Sequence, residues 1–170
     1  MDAKPRIETQ HHIRTRNKFE NGGALMVMSG LDKSTSDYND IMVIARKFAE
    51  LGNVVQVLGT IHFKHPDYCK LFAPLVGTEY YKKCPDLKIG DKLFEYEGFI
   101  GVWSKRKLSR MLSHGAKQSP YIIIKNTKGC SDRFILKCIH DRVKDKSFNH
   151  SILEVWVYEK GNVRLVYKKR

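Results

Sequence analysis

Hydrophobic positions recur at helical spacing in three segments of the chain. The clearest is STSDYNDIMVIARKFAELGN, residues 34–53, whose apolar side chains return every three or four positions. Ser and Asp precede this stripe as typical N-caps, and Gly52 follows it as a typical helix stop. KRKLSRMLSHGAKQS (105–119) and SDRFILKCIHDRVKDKS (131–147) have the same amphipathic pattern. The spacing therefore predicts three helices.

Short runs rich in apolar and β-branched residues lie between these helices. They are ALMVMS (24–29), NVVQVLGTIHF (53–63), YIIIKN (121–126), and ILEVWVYEKGNVRLVYKK (152–169), which turns at Lys160-Gly161-Asn162. HPDYCKLFAPLVGTEYYKK (65–83) is less periodic and reads as a connection. Because strands and helices alternate and several turns are antiparallel, the pattern predicts an α/β fold with a mixed central β-sheet flanked by helices.

Residues 1–23 are polar and basic, have no periodicity and close with Asn-Gly-Gly. They predict a flexible basic arm or a linker from an upstream segment. The remaining residues, 24–170, are enough for one hydrophobic core, since the chain is 42% apolar. We therefore expect a single folded domain over 24–170.

The charge balance narrows the function classes. Lys and Arg number 31 against 18 Asp and Glu, a net charge of +13. This excess is typical of a protein that meets nucleic acid or an acidic partner, although a soluble basic surface is the plainer alternative. No apolar run approaches the ~18 residues of a membrane span, and the N-terminus lacks the apolar centre of a signal peptide. If the protein leaves its cell, something else carries it.

The four cysteines form no Cys-x-x-Cys pair. In a chain long enough to fold without crosslinks, this favours reduced thiols. A zinc set could be drawn from His62, His65, Cys69 and Cys84, but their spacing matches no common ligand pattern.

Acidic residues concentrate in CPDLKIGDKLFEYEGF, residues 84–99, in spite of the basic composition. If Gly90-Asp91 is a two-residue turn, Ile89 pairs with Lys92, and the pairing continues until Asp86 opposes Glu95. Opposed residues project from the same face of a hairpin, and Glu97 shares that face diagonally. The register therefore predicts that Asp86, Glu95 and Glu97 converge on one patch.

Like charges opposed in a sheet are destabilising, so the patch needs a raised pKa, a salt bridge or a bound cation. A divalent cation such as Mg²⁺ suits it, because Mg²⁺ takes one or two carboxylates plus waters and leaves positions for a phosphate oxygen. The alternative is an ordinary solvated strand face on which Lys88 and Lys92 neutralise the acids. Spacing alone does not separate these two interpretations.

Pro85-Asp86, a hairpin, and then Glu95-x-Glu97 resemble the PD-(D/E)xK nuclease motif. More closely, the run from CPDLKIGDKLFEYEG through HGAKQS, YIIIKN and EVWVYEKGNVRLVYKK resembles the C-terminal tRNA-nuclease toxin domain of contact-dependent growth-inhibition proteins. The resemblance covers about residues 36–167. It implies a PD-(D/E)xK (restriction-endonuclease-like) core with a leading helix, the hairpin, a helix with a terminal Gln, and a strand.

Carried over by position, Asp86 and Glu95 match the metal-binding acids of this family. The lysine of the motif should stand at position 97, where this chain has Glu97. Either Lys117 reaches back from the following helix, or Glu97 is a further metal ligand. If neither holds, the domain binds without cutting.

The family also implies an acid from its first helix, for which Glu50 is the nearest match and Asp40 and Glu79 are rivals. Gln118 and Ser119 match the family's helix end that faces the substrate or metal. The implied cofactor is Mg²⁺, or else Mn²⁺ or Zn²⁺.

The resemblance implies a metal-dependent nuclease that cleaves tRNA or other structured RNA, with a cognate acidic immunity protein that blocks it. It implies action in the cytoplasm of the producing or target cell, after delivery as part of a larger secreted protein. Two alternatives stay open. One is a metal-independent endoribonuclease that uses His and Arg residues, in which His114 or His140 is a general acid or base. The other is a non-catalytic basic nucleic-acid-binding module.

Overall fold

The structure, a computed structural model, describes residues 11–99 and 104–170. Within these residues, strands and helices follow one another along the chain in a mixed order. The elements are β1 (Ile13–Lys18), β2 (Ala24–Met28), α1 (Tyr38–Glu50), β3 (Val54–Val57), α2 (Tyr68–Leu71), a 3-10 helix (Ala73–Leu75), β4 (Leu87–Ile89), β5 (Lys92–Glu97), α3 (Lys105–Ala116), β6 (Tyr121–Lys125), α4 (Asp132–Lys144), β7 (Glu154–Glu159) and β8 (Asn162–Lys168).

The strands form one mixed sheet in the order β1 to β8, so each lies beside its neighbours in sequence. Three pairs, β2 with β3, β5 with β6 and β6 with β7, are parallel. Parallel neighbours need a crossover connection, and α1, α3 and α4 supply these three crossovers. The predicted α/β fold with a mixed sheet flanked by helices is confirmed. None of the helices in the described part of the chain is long and apolar enough to cross a membrane.

Helix α1 covers one face of the sheet. Its stripe Ile44, Ala45, Phe48 and Ala49 is buried against alternate residues of β2 to β7. The helix ends at Leu51 and Gly52, where φ of +89° suits glycine. This helix and its stop agree with the prediction from apolar spacing.

Helices α3 and α4 cover the opposite face. Apolar side chains of α3, including Leu108 and Leu112, pack with Ile122 and Ile124 of β6 and with the inward side chains of α4. The side chains of Ser104 and Ser131 accept backbone hydrogen bonds at the N-termini of α3 and α4. Both helices therefore begin with a serine whose hydroxyl caps the first turn.

The acidic hairpin folds in the predicted register. Ile89 pairs with Lys92, Lys88 with Leu93, and Leu87 with Phe94. Gly90, with φ of +58°, makes the first position of the tight turn. The alternation of β5 is fixed by this register, so Phe94 and Tyr96 face α1 while Leu93, Glu95 and Glu97 face the other side.

The N-terminal arm was predicted over 1–23, and that prediction is wrong from residue 13 onward. Residues 13–18 form β1, which pairs antiparallel with β2. Five of its six positions are exposed, so the segment has no apolar alternation to reveal a strand. Its partner is the open backbone edge of β2, whose other edge is taken by β3. Residues 1–10 lie outside the described residues.

The segment between β3 and β4 carries α2 and the 3-10 helix and builds a third apolar cluster around Tyr68, Phe72 and Leu93. The zinc set drawn from this segment is not assembled. Cys69 is exposed, the Cys84 thiol donates to the Ile61 carbonyl, and His65 lies beside His11 and Asp67. The four cysteines carry free thiols.

Candidate active site

Glu95 and Glu97 project from β5 into the face of the sheet that α3 covers. Glu95 is in register with Ile122 and Glu97 with Ile124, both of which are buried beneath α3. On the other side of Glu95, Leu93 belongs to the cluster built by α2. The two glutamates therefore lie where two apolar clusters adjoin, which explains why both are partly buried.

Asp86, the residue just before β4, is hydrogen-bonded to strand β5, which carries both glutamates. One of its carboxylate oxygens, Oδ2, accepts a hydrogen bond of 2.9 Å from the Tyr96 backbone N–H, which lies between the two glutamates in sequence. Its own carbonyl accepts from Leu58 N. Asp86 is close enough to Glu95 and Glu97 to raise the pKa of each. The structure thus brings together the three acids that the hairpin register indicated.

A fourth acid, Asp37, joins the patch from the N-terminus of α1. Its charge raises the pKa of both Asp86 and Glu97. A Cβ at Gly98 would lie 2.3 Å from Asp37 Oδ1, so the carboxylate rests against the backbone that follows Glu97. Asp37 stands at the N-cap position that the sequence predicts, but its side chain makes no cap hydrogen bond. The glycine directly after Glu97 is the one local sign of this close approach.

Burial dominates the electrostatics of the patch. It raises the pKa of Glu95 to about 10, with smaller upward contributions from Asp86 and Glu97 and a downward one from Lys83. The pKa of Asp86 rises to about 6, chiefly through burial and against the Tyr96 hydrogen bond. Packing these acids together without a cation therefore favours their protonated forms.

Glu97 is held differently because a histidine faces it. Burial raises its pKa to about 7, while the interaction with His114 acts in the opposite direction. The Nδ1 atom of His114 lies 3.2 Å from Glu97 Oε1. A Cβ at Gly115 would lie 3.1 Å from Glu97 Cγ and 2.8 Å from Ile122 Cγ2. Gly115 therefore leaves the space in which the Glu97 side chain lies between α3 and the sheet.

One carboxylate oxygen of the patch is available to bind a cation. The Oε2 atom of Glu95 is buried and has no hydrogen-bond partner among residues 11–99 and 104–170. A buried carboxylate oxygen without a partner costs free energy that a cation would recover. No group of three or more His, Cys, Asp or Glu within the described residues forms a complete ligand set. A cation that needs only one or two carboxylates plus waters, such as Mg²⁺, fits these residues.

A basic groove of about 520 Å³ opens beside Glu97. Its walls carry the cations Lys107, Arg110 and Lys117 together with His114. Lys117, which sequence reasoning offered as a replacement for the missing lysine, therefore borders the same groove as Glu97. A smaller cavity of about 160 Å³ reaches Asp86 from the side of α1.

Glu50, the expected acid of the first helix, does not join the patch. It lies at the opposite end of α1 from Asp37, and thirteen helical residues span ~20 Å. Arg46 and Lys47 form ion pairs with Glu50, and hydrogen bonds from them hold its pKa below the ordinary value. The match of Glu50 to the first-helix acid implied by the resemblance therefore fails, because the patch lies at the N-terminal end of α1.

The two rival acids, Asp40 and Glu79, and the candidate His140 make their contacts outside the patch. Asp40 accepts hydrogen bonds from the Tyr96 hydroxyl at 2.6 Å and from Lys125 Nζ, on the sheet face opposite Glu95. Glu79 is half-exposed and pairs with His150 at 3.7 Å. His140 lies against the Tyr167 ring of β8. None of these three is brought into the patch.

The two candidate residues at the end of α3, Gln118 and Ser119, make different contacts. Ser119 is fully buried, donates to the Leu93 carbonyl and accepts from Tyr121 N, so its hydroxyl links the helix end to β5 and β6. Gln118 is partly buried and its backbone N–H donates to Gly115 O. No hydrogen bond joins the Gln118 side chain to an acid of the patch within the described chain.

The lysines of the hairpin do not neutralise its acids. Lys92 Nζ pairs with the buried Glu154 of β7 and lies over the Tyr121 ring. Lys88 forms no ion pair with any residue in 11–99 or 104–170. The cation that acts on Glu95 is Lys83, from the loop before the hairpin. The interpretation in which Lys88 and Lys92 neutralise the patch is therefore wrong for these residues.

Comparisons with known proteins identify no relative of this chain. No family model, curated protein or solved structure matches the chain significantly.

Proposed function

We propose that the protein is a metal-dependent nuclease that cleaves RNA, with tRNA or another structured RNA as substrate. The observation that carries this proposal is the convergence on one patch of four acids, Asp37, Asp86, Glu95 and Glu97, of which Glu97 also borders a basic groove. An orphaned oxygen on Glu95 supports a cation there. Acids that hold a cation and a basic wall that attracts phosphate are the two parts such a reaction needs.

The order of the elements supports the proposal. A leading helix, α1, is followed by the hairpin β4–β5 with its acids, then by α3, whose C-terminus precedes Gln118, and by β6 parallel to β5. This order agrees with the layout implied by the resemblance to tRNA-nuclease toxin domains. A PD-(D/E)xK core for this chain is part of the proposal.

The acids of the patch and Lys117 have separate roles in the proposed reaction. Asp86 and Glu95 would hold a divalent cation, which when bound polarises a phosphodiester and lowers the pKa of an attacking water. Lys117 would supply the positive charge that the lysine of the motif supplies, because this chain has Glu97 at that position. Glu97, kept within 3.2 Å of His114, would orient the water or accept its proton.

The experiment uses purified protein and total cellular RNA, with Mg²⁺, Mn²⁺ or Zn²⁺ and with EDTA. We expect discrete fragments that require metal and that disappear with Asp86→Asn. Glu50→Gln is the matched control, because Glu50 is an acid of α1 at the far end from the patch. Intact RNA in every lane, with the wild type folded, would contradict the nuclease assignment.

A metal-independent endoribonuclease is the second candidate, favoured by the close approach of His114 to Glu97 beside the basic groove. An imidazole and a carboxylate so placed are suited to general acid and base catalysis. This candidate predicts full cleavage in EDTA, a 2′,3′-cyclic phosphate on the product, and loss of cleavage with His114→Ala. The non-catalytic binding module predicts salt-sensitive RNA binding without cleavage under any metal.

We also propose the partner and compartment that the resemblance implies. The net charge of +13 would favour rapid association with an acidic immunity protein. The site of action would be the cytoplasm of the producing or target cell, after delivery within a larger secreted protein. Toxicity of the chain when expressed in a cell, relieved by an acidic protein encoded beside it, would test both.

A further inference from the structure

Helix α3 presents cations to the groove on one of its faces. Lys107, Arg110 and Lys117 border the groove together with Phe99. Their spacings of three and seven residues bring them to the same side of an α-helix. From Lys107 to Lys117 the helix rises ~15 Å, so the cations form a linear track that reaches Glu97.

Neighbouring acids do not neutralise the charges of Arg110 and Lys117 in this track. Arg110 and Lys117 form no ion pair in the residues the structure describes, whereas Lys105 on the same helix pairs with Asp141 at 3.3 Å. The ammonium group of Lys107 lies 4.5 Å from the centre of the Phe99 ring, a cation-π contact that holds it at the groove. Among the described residues that border the groove, Glu97 is the one acid.

We propose that this track binds the sugar-phosphate backbone of a single RNA strand and leads one phosphodiester to Glu97 and Asp86. The inference rests on the nuclease function proposed above and names how its substrate is held. With one phosphate per ~3.4 Å of strand, a ~15 Å track meets about four phosphates.

The size of the groove favours a nucleic-acid strand over a protein. A stable protein partner covers ~800 Å² on each side, most of it outside a groove whose described walls are residues 97–99 and helix α3. A volume of about 520 Å³ instead suits a short stretch of nucleotides. The partly exposed Phe99 ring at the groove adds an aromatic surface of the kind on which bases stack.

The test measures binding of a fluorescent 2′-O-methyl RNA 12-mer in EDTA, a probe that neither metal-dependent nor 2′-hydroxyl chemistry cuts. The double variant Lys107→Ala with Arg110→Ala is compared with wild type over a series of salt concentrations. The control is Arg133→Ala with Lys137→Ala, which removes the same charge from α4. Thermal unfolding verifies that each variant is folded, and Arg110→Ala alone changes only one exposed side chain.

We expect the slope of log affinity against log salt to become shallower by about 1.4 in the α3 variant, about 0.7 per lost phosphate contact. At 0.1 M salt this corresponds to about 25-fold weaker binding, with the control close to wild type. An unchanged slope in the α3 variant, or an equal loss in the control, would overturn the inference. Competition by a polyglutamate peptide as strong as by RNA would overturn the assignment to nucleic acid.

The outcome is separable from that of the nuclease proposal. If the α3 variant loses binding while the wild type cuts no RNA with any metal, the track stands and the nuclease function fails. If the wild type cuts RNA and the α3 variant binds and cuts equally well, the nuclease function stands and the track is wrong.

Discussion

The Oδ2 atom of Asp86 accepts a hydrogen bond from the Tyr96 backbone N–H at 2.9 Å, so the aspartate is tied to the strand that carries Glu95 and Glu97. A single backbone contact therefore fixes the position of one acid relative to the other two. The same strand directs the Tyr96 hydroxyl to Asp40 on the opposite face. The Tyr96 side chain thus meets Asp40 on one face of β5, while Glu95 and Glu97 project from the other face.

Replacing Glu95 by Gln should stabilise the metal-free protein while it abolishes metal-dependent cleavage. Burial raises the pKa of Glu95 to about 10, so at pH 7 the folded protein must take up a proton that the unfolded chain does not hold. Glutamine avoids this cost, which amounts to about 3 kcal/mol between pH 4.5 and 7. Urea unfolding in EDTA at pH 7 measures the gain.

The control is Glu79→Gln, because Glu79 is half-exposed and lies outside the patch. Its effect on the free energy of unfolding should stay within about 0.5 kcal/mol. A loss of stability in Glu95→Gln would mean that the ionised carboxylate is favoured in the folded state, contrary to the burial described here.

The stability of the metal-free protein should fall as pH rises from 4.5 to 7. Burial raises the pKa of Glu97 from 4.5 to about 7, so its contribution is complete below pH 4.5 and is lost as the pH reaches 7. Asp86, with a pKa raised to about 6, acts in the same direction. The measurement is the difference in unfolding free energy between wild type and Glu97→Gln at pH 5 and pH 7.5 in EDTA.

That difference should shift by up to about 3 kcal/mol in favour of Glu97→Gln at the higher pH. Saturating Mg²⁺ should reduce the shift, because a bound cation favours the ionised carboxylates. An identical pH dependence in the two proteins would contradict the raised pKa of Glu97.

Asp37→Asn should lower cleavage and metal affinity about 10- to 100-fold, the usual effect of changing a group that supports metal ligands. The side chain of Asp37 makes no cap hydrogen bond, so the helix itself should lose little stability. Cleavage rates over a Mg²⁺ titration, beside Glu50→Gln, give the comparison. Equal activity in both variants would remove Asp37 from the site.

Gly115→Ala should destabilise the fold and impair cleavage, although the same change inside a helix ordinarily stabilises by about 1 kcal/mol. The added Cβ would lie 2.8 Å from Ile122 Cγ2 and 3.1 Å from Glu97 Cγ, so the glutamate or the helix must move. Overpacking of this kind costs about 1–3 kcal/mol. Thermal unfolding measures it, and a raised melting temperature would show that the site accommodates the methyl group.

The parts of the structure that were predictable from sequence depend on local signals. The register of the hairpin follows from a two-residue turn at Gly90-Asp91, and α1 follows from an apolar stripe between a cap and Gly52. The convergence of Asp86 with Glu95 is a consequence of that register.

The parts that were missed depend on partners distant in sequence. Lys92 pairs with Glu154, 62 residues away, which the charge pattern of the hairpin does not reveal. Asp37 reaches the patch because α1 begins beside Gly98, a packing relationship between elements 61 residues apart in the chain. β1 escaped prediction because an edge strand exposed on nearly all its positions lacks alternation.

The position of β1 also bears on aggregation. It covers the backbone edge of β2, whose sequence ALMVM is wholly apolar, with a strand that carries Arg14, Arg16 and Lys18. Charged edge strands resist pairing with other molecules, whereas an uncovered apolar edge invites it. A shortened chain beginning at residue 24 would expose that edge, so self-association, rather than unfolding, is the defect to expect from removing the first strand.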